Sequence, residues 1–321
     1  MSRLGLWPGL ALSVGAGALV ALQSRYNGEL GSELGSSYVA ALISCCVGIG
    51  VLLVLTLSSR RATAGLGAAV TMLRRRGVPL WALSGGFAGA FLVLAQSAAV
   101  RSLGVSLFAV GSVAGQTLTG LVLDRFGLGT GTRVPIRPLR ALGAALAVVA
   151  VLVAGLGVHA VASVSWLVIL PLLAGAGTGW QAAVNGRLRQ ATGSTLIATL
   201  LNFSVGLAAL ILTAVVAVLL TGMPTTWPAN PLAYLGGAAG VAYVLLVTFV
   251  VRATGVLLLG LSTVAGQLLA SVVLDAFLPL GPRPDASVLI GILLSLAAVV
   301  VAAAPGHGVT AASRPRLPRP R

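Results

Sequence analysis

Two stretches of this chain set the same uncommon polar residues at the same spacing: GSVAGQTLTGLVLD at positions 111–124 and STVAGQLLASVVLD at positions 262–275. Each places a glutamine, Gln116 or Gln267, eight residues before an aspartate, Asp124 or Asp275, in a chain with only five acidic residues. Within an apolar helix a glutamine carries two donors and two acceptor lone pairs, enough to hold a polar solute or to bond a neighbouring helix. The aspartate falls about two turns later, where the apolar run ends, and can accept a proton or close a gate as a salt bridge. The helix dipole opposes an acid at a C-terminus, so each aspartate needs a cationic partner or a role. Arg125 follows the first, but Ala276 follows the second.

Other polar residues have similar double readings. Gln23 with Asn27, and Gln181 with Asn185, are i,i+4 pairs on one helix face just before Gly28 and Gly186. There they could cap a helix ended by a left-handed glycine, or the deeper glutamines could reach a cavity. Ser44 and Asn202 are small polar groups in apolar runs, suited to interhelical bonds or to lining the same space. Gln96 and Trp180 lack equivalents at the matching positions, Val247 and Leu22. The Trp180 ring could stack on a cation or simply pack. Arg101 and Arg252 each precede a glycine by three residues and read as snorkelling anchors or gate partners. Gly85 and Gly89, Gly236 and Gly240, and Gly111 and Gly115 form G-x-x-x-G spacings, which let helix backbones approach closely. Cys45 and Cys46 are adjacent within an apolar run, where a mutual disulfide is geometrically unfavourable.

The elements that position these residues follow from composition. Apolar residues make up 58% of the 321 positions and charged residues 8%, and the mean hydropathy is +1.06. A soluble core does not need so much apolar sequence. The net charge of +15 is all arginine, scattered between apolar runs and not concentrated on one face, which argues against a nucleic-acid partner. Charge-free runs at 4–24, 38–59, 77–100, 102–123, 253–274 and 286–313 each hold one membrane-spanning helix of about 20 residues. Runs 141–186 and 190–251 hold two each, breaking near GLGVHAVASVS and TGMPTTWPANP. The expectation is an all-α integral membrane protein of ten transmembrane helices, since lipid leaves backbone amides no partner outside their own helix. No zinc-protease or phosphate-loop motif and no Ser/His/Asp set is present. The two histidines, His159 and His307, fall near run ends, so neither an enzyme nor a metal or cofactor site is expected.

Arginine distribution sets the orientation. With the N-terminus in the cytoplasm, seventeen arginines fall on the inner side and three, Arg25, Arg101 and Arg283, on the outer. Both termini are then cytoplasmic. Residues 85–124 laid on 236–275 share 19 of 40 positions, and 22–48 laid on 180–206 share 10 of 27. The chain divides into halves at 1–157 and 158–304, followed by an Arg/Pro-rich tail at 305–321. Five helices per half is odd, so the second half enters from the opposite side. The recurrence of the first run inside the chain also makes it a structural helix and not a cleaved signal. Inverted halves can exchange two packings around a central site, the physical basis of alternating access.

The stretch ALQSRYNGELGSELGSSYVAALISCCVG, with the doubled G-G-x-x-G and V-A-G-Q…L-D blocks, resembles the YdcZ-like family of the drug/metabolite transporter superfamily. Short members hold about one half, so this chain is similar to a fused tandem. The resemblance implies an EamA-like transporter fold whose first, third and fourth helices and their mates line a central cavity. The expected function is export of a small organic solute across a bacterial-type plasma (inner) membrane. A lipid or lipid-linked carrier flippase and a non-transporting scaffold are the alternatives. With no buried acid or arginine in the runs, a neutral or zwitterionic solute fits best. The bilayer and the solute are the expected partners, and a homodimer is compatible.

Overall fold

The structure, a computed structural model, describes residues 5–74, 80–127, 138–156 and 165–303. His159, His307 and the tail lie outside these residues, as do the side chains of Asp124 and Arg252. Nine α-helices occur among the described residues: α1 Leu6–Leu34, α2 Ser37–Leu57, α3 Arg60–Arg74, α4 Gly85–Phe126, α5 Pro138–Gly155, α6 Ile169–Thr192, α7 Thr195–Thr221, α8 Gly236–Phe277 and α9 Ala286–Ala303. Short 3-10 turns precede α4, α6 and α8. Among the described residues, seven helical segments are long and apolar enough to cross a membrane, and Ala286–Ala302 is a shorter apolar helix.

The helix ends have local causes. Gly35 and Gly193 take left-handed φ values of 64° and 67° and end α1 and α6. The next residues, Ser36 and Ser194, accept from the amides of Val39 and Ile197 and start α2 and α7. Two residues thus end one helix and begin the next. This corrects the expectation that Gly28 and Gly186 end their helices: α1 and α6 run through both. Gly28 is where α1 crosses Val100 of α4, so close contact explains its glycine. The longer α1 also corrects the expected absence of charge within the helices, because it carries Arg25 and Glu29.

At 42 residues, α4 would be about 63 Å long, twice the roughly 30 Å hydrocarbon layer. Gly104, at φ 79° and ψ 161°, breaks it into two legs. α8 has the same 42-residue length.

Packing recurs at matched positions. α1 lies along α8, and Gly17 meets the carbonyl of Thr263 while Gly266 meets that of Val14. α6 lies along α4, and Gly175 meets the carbonyl of Ser112 while Gly115 meets that of Leu172. A methyl group at any of these four glycines would overlap a backbone oxygen. α5 and α9 cross with Gly143 against Ala298 and Gly291 against Ala150. The largest apolar cluster draws on α1, α4, α5, α6, α8 and α9, and Phe108 and Leu107 are among its fully buried side chains.

One matched set does not repeat. α1 and α2 both pack along α4, whereas among the described residues α6 is not packed against α8 and α7 barely touches it.

Candidate functional site

The bundle has two ends that bear on function. One, the Asp275 end, gathers residues near 24–34, 96–106 and 275–285. The other, the Trp180 end, gathers residues near 81–89 and 180–202.

At the Asp275 end the hub is Gln96, which is fully buried. Its Oε1 accepts from Asn27 Nδ2 at 2.7 Å and from Gln23 Nε2 at 3.4 Å, and its Nε2 donates to Ser24 Oγ at 2.9 Å. The i,i+4 spacing of Gln23 and Asn27 puts both on the α1 face that meets α4. Asn27 Oδ1 abuts Gly236, beside the Ser44 hydroxyl, and the Ser44 carbonyl abuts Gly237.

Asp275 lies beyond this hub, 1% exposed. Its carboxylate accepts from the amides of Val105 at 2.9 Å and Ser106 at 2.6 Å. Those amides open the second leg of α4 just after the Gly104 break, so they have no carbonyl one turn earlier to bond. Asp275 therefore acts as a cap for a helix it does not belong to, where the dipole favours an anion. Arg25 stands within electrostatic reach of it. Arg25 also pairs with Glu29 at 3.6 Å, and Asn230 Nδ2 donates to Glu29 Oε1 at 2.8 Å, tying the segment before α8 to α1. Arg101 is exposed in the first leg of α4, next to the turn where Gly281 meets its carbonyl.

The Trp180 end is looser. Trp180 Nε1 donates to Ser84 Oγ at 2.7 Å, and its ring stands 6.1 Å from that of Trp81 at an interplanar angle of 48°. The Arg187 guanidinium lies 4.9 Å from the Trp81 ring centre, a cation–π distance. Asn202 Nδ2 donates to Asn185 Oδ1, Gln181 lies over Gly89, and Asn202 Oδ1 abuts Gly85. Trp180, Gln181 and Asn185 are half-buried, whereas Gln23 and Asn27, the residues matched to Gln181 and Asn185, are buried.

Gln116 and Gln267 sit deeper. The Gln116 carbonyl lies by Gly179, one residue from Trp180, and the Gln267 amide lies by Gly17. Gln267 is 5% exposed and Gln116 is half-buried. Neither side-chain amide has a hydrogen-bond partner among the described residues. A pocket of about 140 Å³ is lined by Thr117, Gly120, Leu121, Arg140 and Ala302; Gln116 is not one of its lining residues. The G-x-x-x-G residues all lie at contacts with another helix: Gly85, Gly89, Gly236 and Gly240 against amide or hydroxyl side chains, Gly111 against Pro171, and Gly115 as above.

The structure thus joins Gln23 to Gln96 and Asn185 to Asn202, and holds Asp275 on α4. Sequence reasoning missed Arg25, Glu29 and Asn230 as partners and Ser84 as a Trp180 ligand. A charged i,i+4 pair upstream of the Gly35–Ser36 terminator was the available signal.

A chain made almost wholly of apolar helices, with its amides turned inward, is a multi-pass membrane protein. The family model described as "Putative inner membrane exporter, YdcZ" matches residues 8–153 and again residues 166–301. The chain belongs to this YdcZ-like family of the drug/metabolite transporter superfamily and carries its unit twice. No curated protein matches the chain.

Proposed function

We propose that the protein is a ten-crossing secondary exporter of a small organic solute, built from two inverted five-helix halves and working by alternating access. α4 and α8 supply two crossings each in this reading, and α3 lies outside the count. The arginine distribution puts the Asp275 end outside the cell and the Trp180 end in the cytoplasm. In this reading the bundle is closed to the outside and parted toward the cytoplasm. The observation that carries the reading is the unequal use of matched helices: among the described residues α1 is packed on α4, and α6 is not packed on α8. In the alternate state the pairs exchange these roles. Asp275 is the outer gate contact in this scheme, and Asp124 is assigned the same duty at the inner end.

Gln116 and Gln267 are the proposed solute contacts, since unpaired amides at depth lose little by exchanging water for a polar solute. Neither carries charge, which suits a neutral or zwitterionic cargo. Two experiments test the reading. Reporters active only in the cytoplasm should work at either terminus and fail after His159; activity after His159 contradicts the ten-crossing count. Metabolite profiles of cells with and without the gene should show one solute class retained inside when the protein is absent. Unchanged profiles, with lipid asymmetry altered instead, would favour the flippase.

A further inference from the structure

Resting on the reading of a bundle closed at the Asp275 end, we propose that Gln96 is the positioning residue that decides which end is closed. It latches α1 to α4 by three hydrogen bonds from a fully buried amide. The position matched to it is Val247, which can make none of them. There the potential partners are left over: Gln181 and Asn185 are half-buried, and Asn185 turns to Asn202 of α7 instead. Among the described residues α6 is not packed on α8, whereas α1 is packed on α4. The glycine-to-carbonyl crossings of α1 with α8 and of α6 with α4 occur in both halves and so favour neither state, whereas Gly31 meets the Ser97 carbonyl within the α1–α4 contact that Gln96 latches, and its matched position is Arg189.

A protein of two equivalent inverted halves would populate its two closures equally. A contact present on one side only tilts that equilibrium by its own strength. Gln96 supplies such a contact, and its amide is already spent on α1, which leaves it poorly placed to serve as a solute ligand in this state. Losing three buried hydrogen bonds should move the populations at least roughly tenfold.

The test uses a second matched pair, Ser97 and Thr248, each bonding its hydroxyl to the carbonyl four residues earlier, at 2.9 and 2.8 Å. Ser97 is 4% exposed and Thr248 half-buried. Ser97→Cys or Thr248→Cys is placed in the full chain with Cys45 and Cys46 replaced by alanine, in membranes open to reagent on both faces. The labelling rate with a water-soluble maleimide is then compared between the two sites. Gln96→Val should raise the rate at position 97 relative to 248 at least roughly tenfold. Val247→Gln, which leaves position 96 intact should the first variant fail to fold, should raise the same ratio by giving the other end a latch. A ratio unchanged in both variants overturns the latch, even if export or thermal stability falls. Export retained with an unchanged ratio overturns the latch alone. A shifted ratio in a protein that exports nothing supports the latch and overturns the exporter reading.

Discussion

At the Asp275 end, α1 and α2 lie along the first leg of α4, and Gln96, Asn27 and Asp275 are all sealed from solvent. At the Trp180 end, among the described residues, the matched α6 is not packed on α8 and α7 barely touches it, and Gln181 and Asn185 are half-buried. The crossings that do not differ are apolar and tight, glycine against carbonyl. The α1–α4 crossing, which differs, adds the Gln96 amide bonds to Gly31 against the Ser97 carbonyl, and the Asp275 carboxylate ties α8 to α4 beside it. The division makes physical sense in lipid. Helix association there depends on close packing, which suits pairs that stay together in the proposed cycle, while a few hydrogen bonds of modest worth suit contacts that would exchange in it.

The largest expected effect falls on the glycine-to-carbonyl pairs. Gly115→Val and Gly266→Val each force a side chain onto a backbone carbonyl, and each should cost about 1–3 kcal/mol or more. Thermal unfolding in detergent should show similar losses for the two. A large loss at one and none at the other would break the equivalence of the two crossings.

Next comes the Asp275 contact. Asp275→Asn replaces a charged acceptor of two amides with a neutral one, and a coupling of this kind is worth roughly 5- to 150-fold in populations. Accessibility should rise at the Asp275 end and fall at the Trp180 end, read by thiol labelling. Asp124→Asn should do the reverse. Changes in the same direction, or none, would reduce both aspartates to ordinary helix-end residues.

Gln116→Leu and Gln267→Leu should each leave the protein inserted and monodisperse while lowering export at least roughly tenfold. No bond within the described structure is lost in either. Aggregation of the variants would instead assign the amides to helix joining.

The smallest effect tests a feature with no functional reading. Asp285 accepts from the Val288 amide at 2.9 Å and the Ser287 hydroxyl at 2.6 Å, capping α9. The Ser287 hydroxyl and then the Val288 amide hold its carboxyl below the usual carboxylate range. A depressed value means the cap contributes fully above the ordinary value of about 4 and is lost as pH falls through the lowered one. Asp285→Ala should therefore cost about 1 kcal/mol at pH 7 and progressively less in acid. Equal costs at both pH values would remove the charge from the cap.

Much of this was legible in the sequence. Apolar runs gave an all-helical membrane chain, and the repeated blocks gave its two units, each matched by the family model. Helix ends were misjudged at Gly28 and Gly186, because a glycine needed for close contact looks the same as one needed for a left-handed turn. The Gly–Ser pairs at 35–36 and 193–194 supplied both a stop and a start, and deserved the greater weight. Asp275 was recognised as odd, yet its partners could not be foreseen. They are backbone amides freed by Gly104, and backbone amides carry no side-chain signature. The Gln96–Val247 mismatch was visible, but that it coincides with a packed and an unpacked helix pair required coordinates.

Distances between spin labels at two matched pairs test the central claim most directly: positions 33 and 101 across α1 and α4, and positions 191 and 252 across α6 and α8, measured in lipid. The account predicts that the short separation dominates for the first pair and the long one for the second. It also predicts that Asp275→Asn lengthens the first while shortening the second. Equal distributions in the two pairs, or lengthening of both together, would contradict an exchange between matched closures.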